Sequence, residues 1–148
     1  MKIGLIIALC FSFFTVSPPS DDVWKILSQL KFDIRFDDKL DDLVFTPKPT
    51  KTIKKLIGKT ITIRGFRFDI EENVESKTSK IYLCRYEENP YACCLGYGAE
   101  AYIEVITDEI IDIKKDKPYL FKGVLKLNTK DYLNLPFILK DAECLNCD

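Results

Sequence analysis

Thr60-Ile-Thr-Ile-Arg-Gly-Phe-Arg-Phe-Asp-Ile70 decides how this chain is read. Ile61 and Ile63 stand at odd positions, whereas Phe66, Phe68 and Ile70 stand at even ones. Strict alternation is the mark of a strand with one buried face, and a one-residue slip sends every side chain to the other face. The change of phase at Arg64-Gly65 therefore predicts a β-bulge, which a glycine accommodates. A long, bulged first strand can serve both halves of a small, sharply coiled barrel.

Working downstream, Glu71 to Lys80 reads as a polar hairpin loop, and Ile81 to Tyr86 and Ala101 to Ile106 as strands. Asp108 to Asp116 carries Ile110, Ile111 and Ile113 among charges and suits a short strand or a helical turn. Tyr119, Phe121, Leu125 and Leu127 alternate cleanly, with Gly123 on the same face, where a barrel can close tightly. After a turn over Asn128 to Asn134, Pro136 to Leu139 forms the last strand.

Upstream, Val23, Ile26, Leu27 and Leu30 fall at i, i+3, i+4 and i+7, a short helix with acidic residues at its start. Trp24, beside that face, is expected to cover the barrel with its indole. Phe32, Ile34 and Phe36 suggest a brief strand. The run Asp37, Asp38, Asp41, Asp42 lacks the glycine and terminal glutamate of a calcium loop and reads as a solvated turn. Thr46-Pro-Lys-Pro-Thr50 reads as a stiff linker, and Lys51 to Ile57 as two helical turns stopped by Gly58. The sum is an all-β fold with a short N-terminal helix: a five-stranded OB-like Greek-key barrel, with a β-sandwich as the alternative.

The first residues have the form of an export signal. Lys2 precedes an apolar run from Ile3 to Val16, and fourteen helical residues span only ~21 Å against a hydrocarbon core of ~30 Å. A removed signal fits better than an anchor, so no transmembrane span is expected in the mature chain. The organisation is then residues 1–20 as signal, 21–50 as helix and linker, 51–142 as barrel and 143–148 as a cysteine-containing tail. Export places the protein in a periplasm, at a cell surface or outside the cell, where disulfides form. With Lys2 lost, the net charge moves from −1 to about −2.

The chain has 148 residues, enough for one domain, and no histidine. That removes the commonest general base and transition-metal ligand. Charges of both signs are interspersed without a basic patch, which excludes nucleic acid as the expected partner. Loss of the signal takes Cys10 with it and leaves Cys84, Cys93, Cys94, Cys144 and Cys147. These are candidates for disulfides, for a thiolate site holding zinc or a soft metal, or for buried thiols. Cys144-Leu-Asn-Cys147 has the spacing of half a zinc site or of a redox pair. Cys144 or Cys147 is expected to lie near Cys93 or Cys94, tying the chain end to the loop between the second and third strands; a disulfide there would close a loop of about 50 residues.

Leu56 to Phe66, Tyr82-Leu83, Asn89-Pro-Tyr-Ala-Cys93 with its Gly-rich turn, Glu100 and Ile103-Glu-Val105 form an ordered set of motifs. In that order the chain resembles a family of small exported bacterial OB-fold-like proteins of unknown function, common in Bacteroidetes, with relatives that accompany ABC export systems. The resemblance covers Trp24 to Ala142. Family members carry two cysteines separated by two residues in the Gly-rich turn, whereas here Cys93 and Cys94 are adjacent, so a metal or redox role does not transfer. The family supplies no catalytic residues.

Phe66, Phe68, Tyr82, Tyr86, Tyr91, Tyr97 and Tyr102 are enough aromatics for a stacking face, although core packing and surface cover account for many of them. Tyr82, Tyr86, Tyr91 and Tyr97 are the candidate contacts for a ligand or partner. The carboxylates near the loop have no evident partner acid for glycoside hydrolysis. The expected function is a non-enzymatic exported barrel that binds a protein or small ligand at the Ile81 to Gly98 face, without a cofactor. A thiolate metal-binding protein and a thiol redox protein are the alternatives.

Overall fold

A computed structural model describes residues 20–69, 75–87, 98–130 and 134–147. Its order is α1 (Ser20–Leu27), β1 (Lys31–Asp37), β2 (Asp42–Lys48), α2 (Lys51–Leu56), β3 (Thr60–Phe68), β4 (Lys77–Cys84), a 3-10 turn at Ala99–Ala101, β5 (Tyr102–Asp112), β6 (Pro118–Leu127) and β7 (Phe137–Cys144). Strands β3 to β7 close a barrel in the order β3-β4-β5-β7-β6, with β6 returning to β3. Among the described residues β5 and β7 run parallel and the other barrel pairs antiparallel. This is a five-stranded Greek-key barrel of OB type, as the strand count implies.

Odd-numbered residues fill the interior. Ile61 and Ile63 of β3, Ile81 and Leu83 of β4, Ile103 and Val105 of β5, and Phe121 and Leu125 of β6 are buried, with Phe137 and Leu139 of β7 beside them. Helix α1 packs Val23, Trp24 and Leu27 into the same core, and the Trp24 Nε1–H donates to the Arg64 carbonyl at 2.6 Å. Helix α2 is capped by Thr50, whose hydroxyl accepts from the Ile53 amide, and is followed by Gly58 at φ +79°.

The expected bulge at Arg64-Gly65 is absent. β3 pairs with β6 in unbroken register from Thr60 opposite Val124 to Phe66 opposite Pro118, and its burial alternates without a slip. Phe66 and Phe68 point outward, and the inward position between them belongs to Arg67. Two outward phenylalanines mimic a change of phase because aromatic rings are read as core. Gly65 is needed for close approach instead: a Cβ there would sit 2.9 Å from the Cys84 carbonyl oxygen and 3.5 Å from Trp24 Cζ2.

The register breaks instead in β5, where Thr78 and Lys80 of β4 face Ile111 and Ile106, and in β7. Val124 faces Lys140 and Lys122 faces Glu143, and Val105 and Thr107 of β5 face Leu139 and Ala142. Both neighbours thus see one extra residue in β7, and Asp141 takes φ +50° there. After Phe137 and Leu139 the next buried position is the even-numbered Ala142. Gly123 lies opposite, where a Cβ would stand 2.7 Å from the Lys140 carbonyl oxygen.

Two further expectations change. Thr46 to Lys48 is paired strand rather than linker, since β2 faces β1 from Asp42 opposite Asp37 to Lys48 opposite Lys31. Pro47 is tolerated because this sheet has only two strands and hence only edges. The hairpin, called the arm below, belongs to no other sheet. At the other end β7 runs on to Cys144, so residues 143–147 are structured. Cys144 and Cys147 are bonded to each other with Cα atoms 5.6 Å apart. Both tail sulfurs are therefore used within the tail, which replaces the expected tie to Cys93 or Cys94; the two loop cysteines lie outside the described residues.

Candidate binding face

The barrel interior is occupied by its own side chains, so a ligand has to meet an outer surface. On the outer face of β3, β4 and β5 the pairings form two rows. Phe66 faces Cys84, which faces Tyr102; Phe68 faces Tyr82, which faces Glu104. The rings of Phe68 and Tyr102 lie 5.1 Å apart between centroids, tilted at 49°. Tyr82 lies on this outer face, on the side of β4 away from the buried Leu83. Cys84 shares that face and is buried there. Tyr91 and Tyr97 lie outside the described residues.

A charged pair crosses the lower row. Lys80 Nζ is 3.3 Å from Glu104 Oε2 and 5.4 Å from the centroid of the Tyr82 ring. Its hydrogen bond with Tyr82 holds the Lys80 pKa above the ordinary lysine value; partial burial opposes the shift and the Glu104 carboxylate reinforces it. Glu104 is only 5% exposed although it sits on the outer face, so its carboxylate depends on that lysine. Sequence spacing gives no sign of the pair, because Lys80 reaches Glu104 diagonally across two strands.

Above the upper row the surface opens into a shallow cleft of about 300 Å³ between α1 and the ends of β3 and β4. It is lined by Asp21, Trp24, Arg64, Gly65, Phe66, Arg85 and Tyr86. The Arg85 guanidinium lies 5.2 Å from the Tyr86 ring centroid, and the Arg85 amide donates to the Ala101 carbonyl at 2.9 Å, which fixes the backbone there. One guanidinium against an aromatic ring, with a second arginine, Arg64, in the same lining, suits a ligand with a planar or aromatic part and a negative or carbonyl-rich part. The sequence marks Arg64 only as the site of an expected bulge and Arg85 not at all, since each is one charge among many. A larger cleft of about 410 Å³ lies between the arm and the barrel rim, lined by Phe32, Pro47, Ala99, Asn128 and Pro136 among others. Its lining also brings Arg35 together with Phe32 and Phe45, on the two-stranded arm rather than on the barrel wall.

The other buried charge is structural. Arg67 is 4% exposed, with Nε 2.8 Å from Asp69 Oδ1 and its remaining nitrogens donating to the carbonyls of Ile113 and Glu75. Lys115 reaches the second oxygen of Asp69 at 3.3 Å. This arginine ties the end of β3 to the segments that enter β4 and leave β5.

The tail is held equally firmly. Asn146 Oδ1 accepts from the Leu120 amide at 2.7 Å, its Nδ2 donates to the Pro118 carbonyl at 3.1 Å, and the Leu145 amide donates to the Leu120 carbonyl at 2.8 Å. Cys144-Leu-Asn-Cys147 therefore extends the barrel wall along β6. Among the described residues no group of three or more cysteines and carboxylates is placed to hold a metal ion. Among them, too, no helix is long and apolar enough to cross a membrane. Comparison with protein-family models, with curated proteins and with solved structures finds no match.

Proposed function

We propose that this protein is a non-enzymatic exported binding module, an accessory barrel that takes a protein segment or small ligand on the outer face of β3, β4 and β5. The observation that carries this reading is the continuity of half-buried aromatic rings, Phe66, Phe68, Tyr82 and Tyr102, with the cleft formed by Arg64, Arg85, Tyr86 and Trp24. Rings held half-exposed by a rigid sheet bind with little loss of side-chain entropy, and the guanidinium groups add direction. The resemblance to exported OB-fold-like proteins that accompany ABC export systems agrees with an accessory role.

Trp24 is the only tryptophan, and it walls the cleft, so its emission reports occupancy. Titration with a panel of short peptides and oligosaccharides should yield a ligand that shifts Trp24 emission. The shift should be lost in Arg85→Ala and Phe66→Ala proteins whose unfolding curves are unchanged. Ligands that bind those variants as tightly as the wild type would move the site elsewhere.

A second reading rests on the tail. A Cys-x-x-Cys disulfide is also a thiol redox couple, and once reduced it offers two sulfurs for zinc or a soft metal. Thiol counting with and without reductant and chelator separates the cases. A structural bond resists mild reductant, a redox couple cycles, and a metal site releases thiols on chelation.

A further inference from the structure

The arm presents a feature that the barrel does not. Among the described residues β1 pairs with β2 alone, so its far side is an open edge of unpaired amides and carbonyls. Within the arm, Phe32, Ile34 and Phe36 face Pro47, Phe45 and Leu43, which gives one wholly apolar face. Ile34, Phe36, Leu43 and Phe45 remain 49 to 57% exposed on it. The charges gather on the opposite face, and there the hairpin pairs like with like. Lys31 stands opposite Lys48 and Asp37 opposite Asp42, an arrangement that destabilises a sheet.

The sequence of β1 supplies what its own hairpin lacks. In Lys31-Phe-Asp-Ile-Arg-Phe-Asp37 the charges are antisymmetric about Ile34 and the apolar residues symmetric. If a second β1 is laid antiparallel along the open edge with Ile34 on the twofold axis, Lys31 meets Asp37, Phe32 meets Phe36 and Asp33 meets Arg35. Each of these contacts then occurs twice. We propose that this edge is a homodimer interface, in which β1 of two copies pair antiparallel about Ile34 and join the two arms into one four-stranded sheet, β2-β1-β1-β2.

Every charge on the β1 edge then finds its opposite, and the like-charged ends of each arm lie beside the oppositely charged end of the other. The exposed Phe36 of one copy comes next to Phe32 of the other, at the base of the arm where the cleft against the barrel rim begins. A twofold axis needs this self-complementarity, because each surface meets itself. A different partner strand would gain nothing from it. Two seven-residue strands make an interface at the small end of the usual range, below about 1,200 Å². The dimer is accordingly a reversible one that high salt weakens.

The test is a charge exchange read by sedimentation equilibrium on the full mature chain, from about 1 to 200 µM at low salt. Wild type should show a monomer–dimer equilibrium. Arg35→Glu sets Asp33 against a glutamate twice, and Asp33→Arg sets Arg35 against an arginine twice; each alone should weaken dimerisation by roughly 10-fold or more. An equimolar mixture of the two variants restores both opposite-charge contacts and should dimerise within about threefold of wild type. Asp33 and Arg35 are exposed and belong to no core cluster, so unfolding curves should coincide for all three proteins. As an independent measure of register, Ile34→Cys should cross-link two copies on oxidation, since the paired Cα atoms stand at disulfide distance, whereas Arg35→Cys should not. A wild type that stays monomeric throughout would overturn the proposal. So would a dimer indifferent to both charge variants, a mixture that is not rescued, or equal cross-linking at positions 34 and 35. A monomer that instead bound phosphatidylcholine vesicles through the arm would assign the apolar face to a lipid surface.

Discussion

Arm and barrel follow the same alternation and end in opposite conditions. In the barrel, five strands bring Ile61, Ile81, Ile103, Phe121 and Leu139 together and leave no edge. In the arm, two strands align Ile34, Phe36, Leu43 and Phe45 just as regularly, yet among the described residues they stay half-exposed and both edges of the sheet are open. Alternation specifies a face; strand number and closure decide whether that face is satisfied within the chain. The difference assigns stability to one region and association to the other, and it can be broken by substitution.

The largest effect should come from Phe121→Ala. A fully buried ring at the centre of the barrel should cost about 3–5 kcal/mol in urea unfolding. A loss below 1 kcal/mol would mean that the barrel core is not the seat of stability. Next is Gly123→Ala, because a methyl group must displace the Lys140 carbonyl and the Leu139 side chain across the β7 bulge. About 2–3 kcal/mol is expected, and an unchanged midpoint would show that the closure point gives way freely. Cys147→Ser opens a four-residue loop, which the chain-entropy relation values at about 2 kcal/mol at most. Asn146 keeps its hydrogen bonds to β6 in that variant, so the same substitution should leave the barrel folded by circular dichroism. The smallest effect belongs to the arm. Phe36→Ala, chemically the same truncation as Phe121→Ala, should change the stability of the dilute protein by less than about 0.5 kcal/mol. A cost comparable to that at Phe121 would mean that the arm is packed against something within its own chain.

The barrel was legible because its strands carry their pattern locally. Tyr119, Phe121, Gly123, Leu125 and Leu127 alternate without ambiguity, and the α1 stripe and the Thr50 to Gly58 helix have clear signals at their ends. The errors arose where an outward or inward position was filled by an unexpected type. Phe66 and Phe68 cover the outer face, and Arg67 turns inward because Asp69 and two carbonyls receive its guanidinium. The bulge of β7, at Asp141, carries no glycine, since the residue that makes room for it is Gly123 on the neighbouring strand. The two prolines around Lys48 concealed β2, as an edge strand has no need of every amide. Of the candidate site, Tyr82 and Cys84 follow strand parity, whereas Tyr86 lies past the end of β4. The Lys80–Glu104 pair and the Arg64 and Arg85 cleft depend on register between strands, which no single stretch records.

The position of β7 has a consequence for how the molecule is made. This strand inserts between β5 and β6 and pairs parallel to β5, so the wall has a strand-wide gap until Phe137–Cys144 arrives. A growing chain emerges N-terminus first at about 5–20 residues per second, and for most of that time β5 and β6 present bare edges toward each other. Closure waits for β7, and a chain cut short before Phe137 should persist as an open, sticky sheet that proteases find easily.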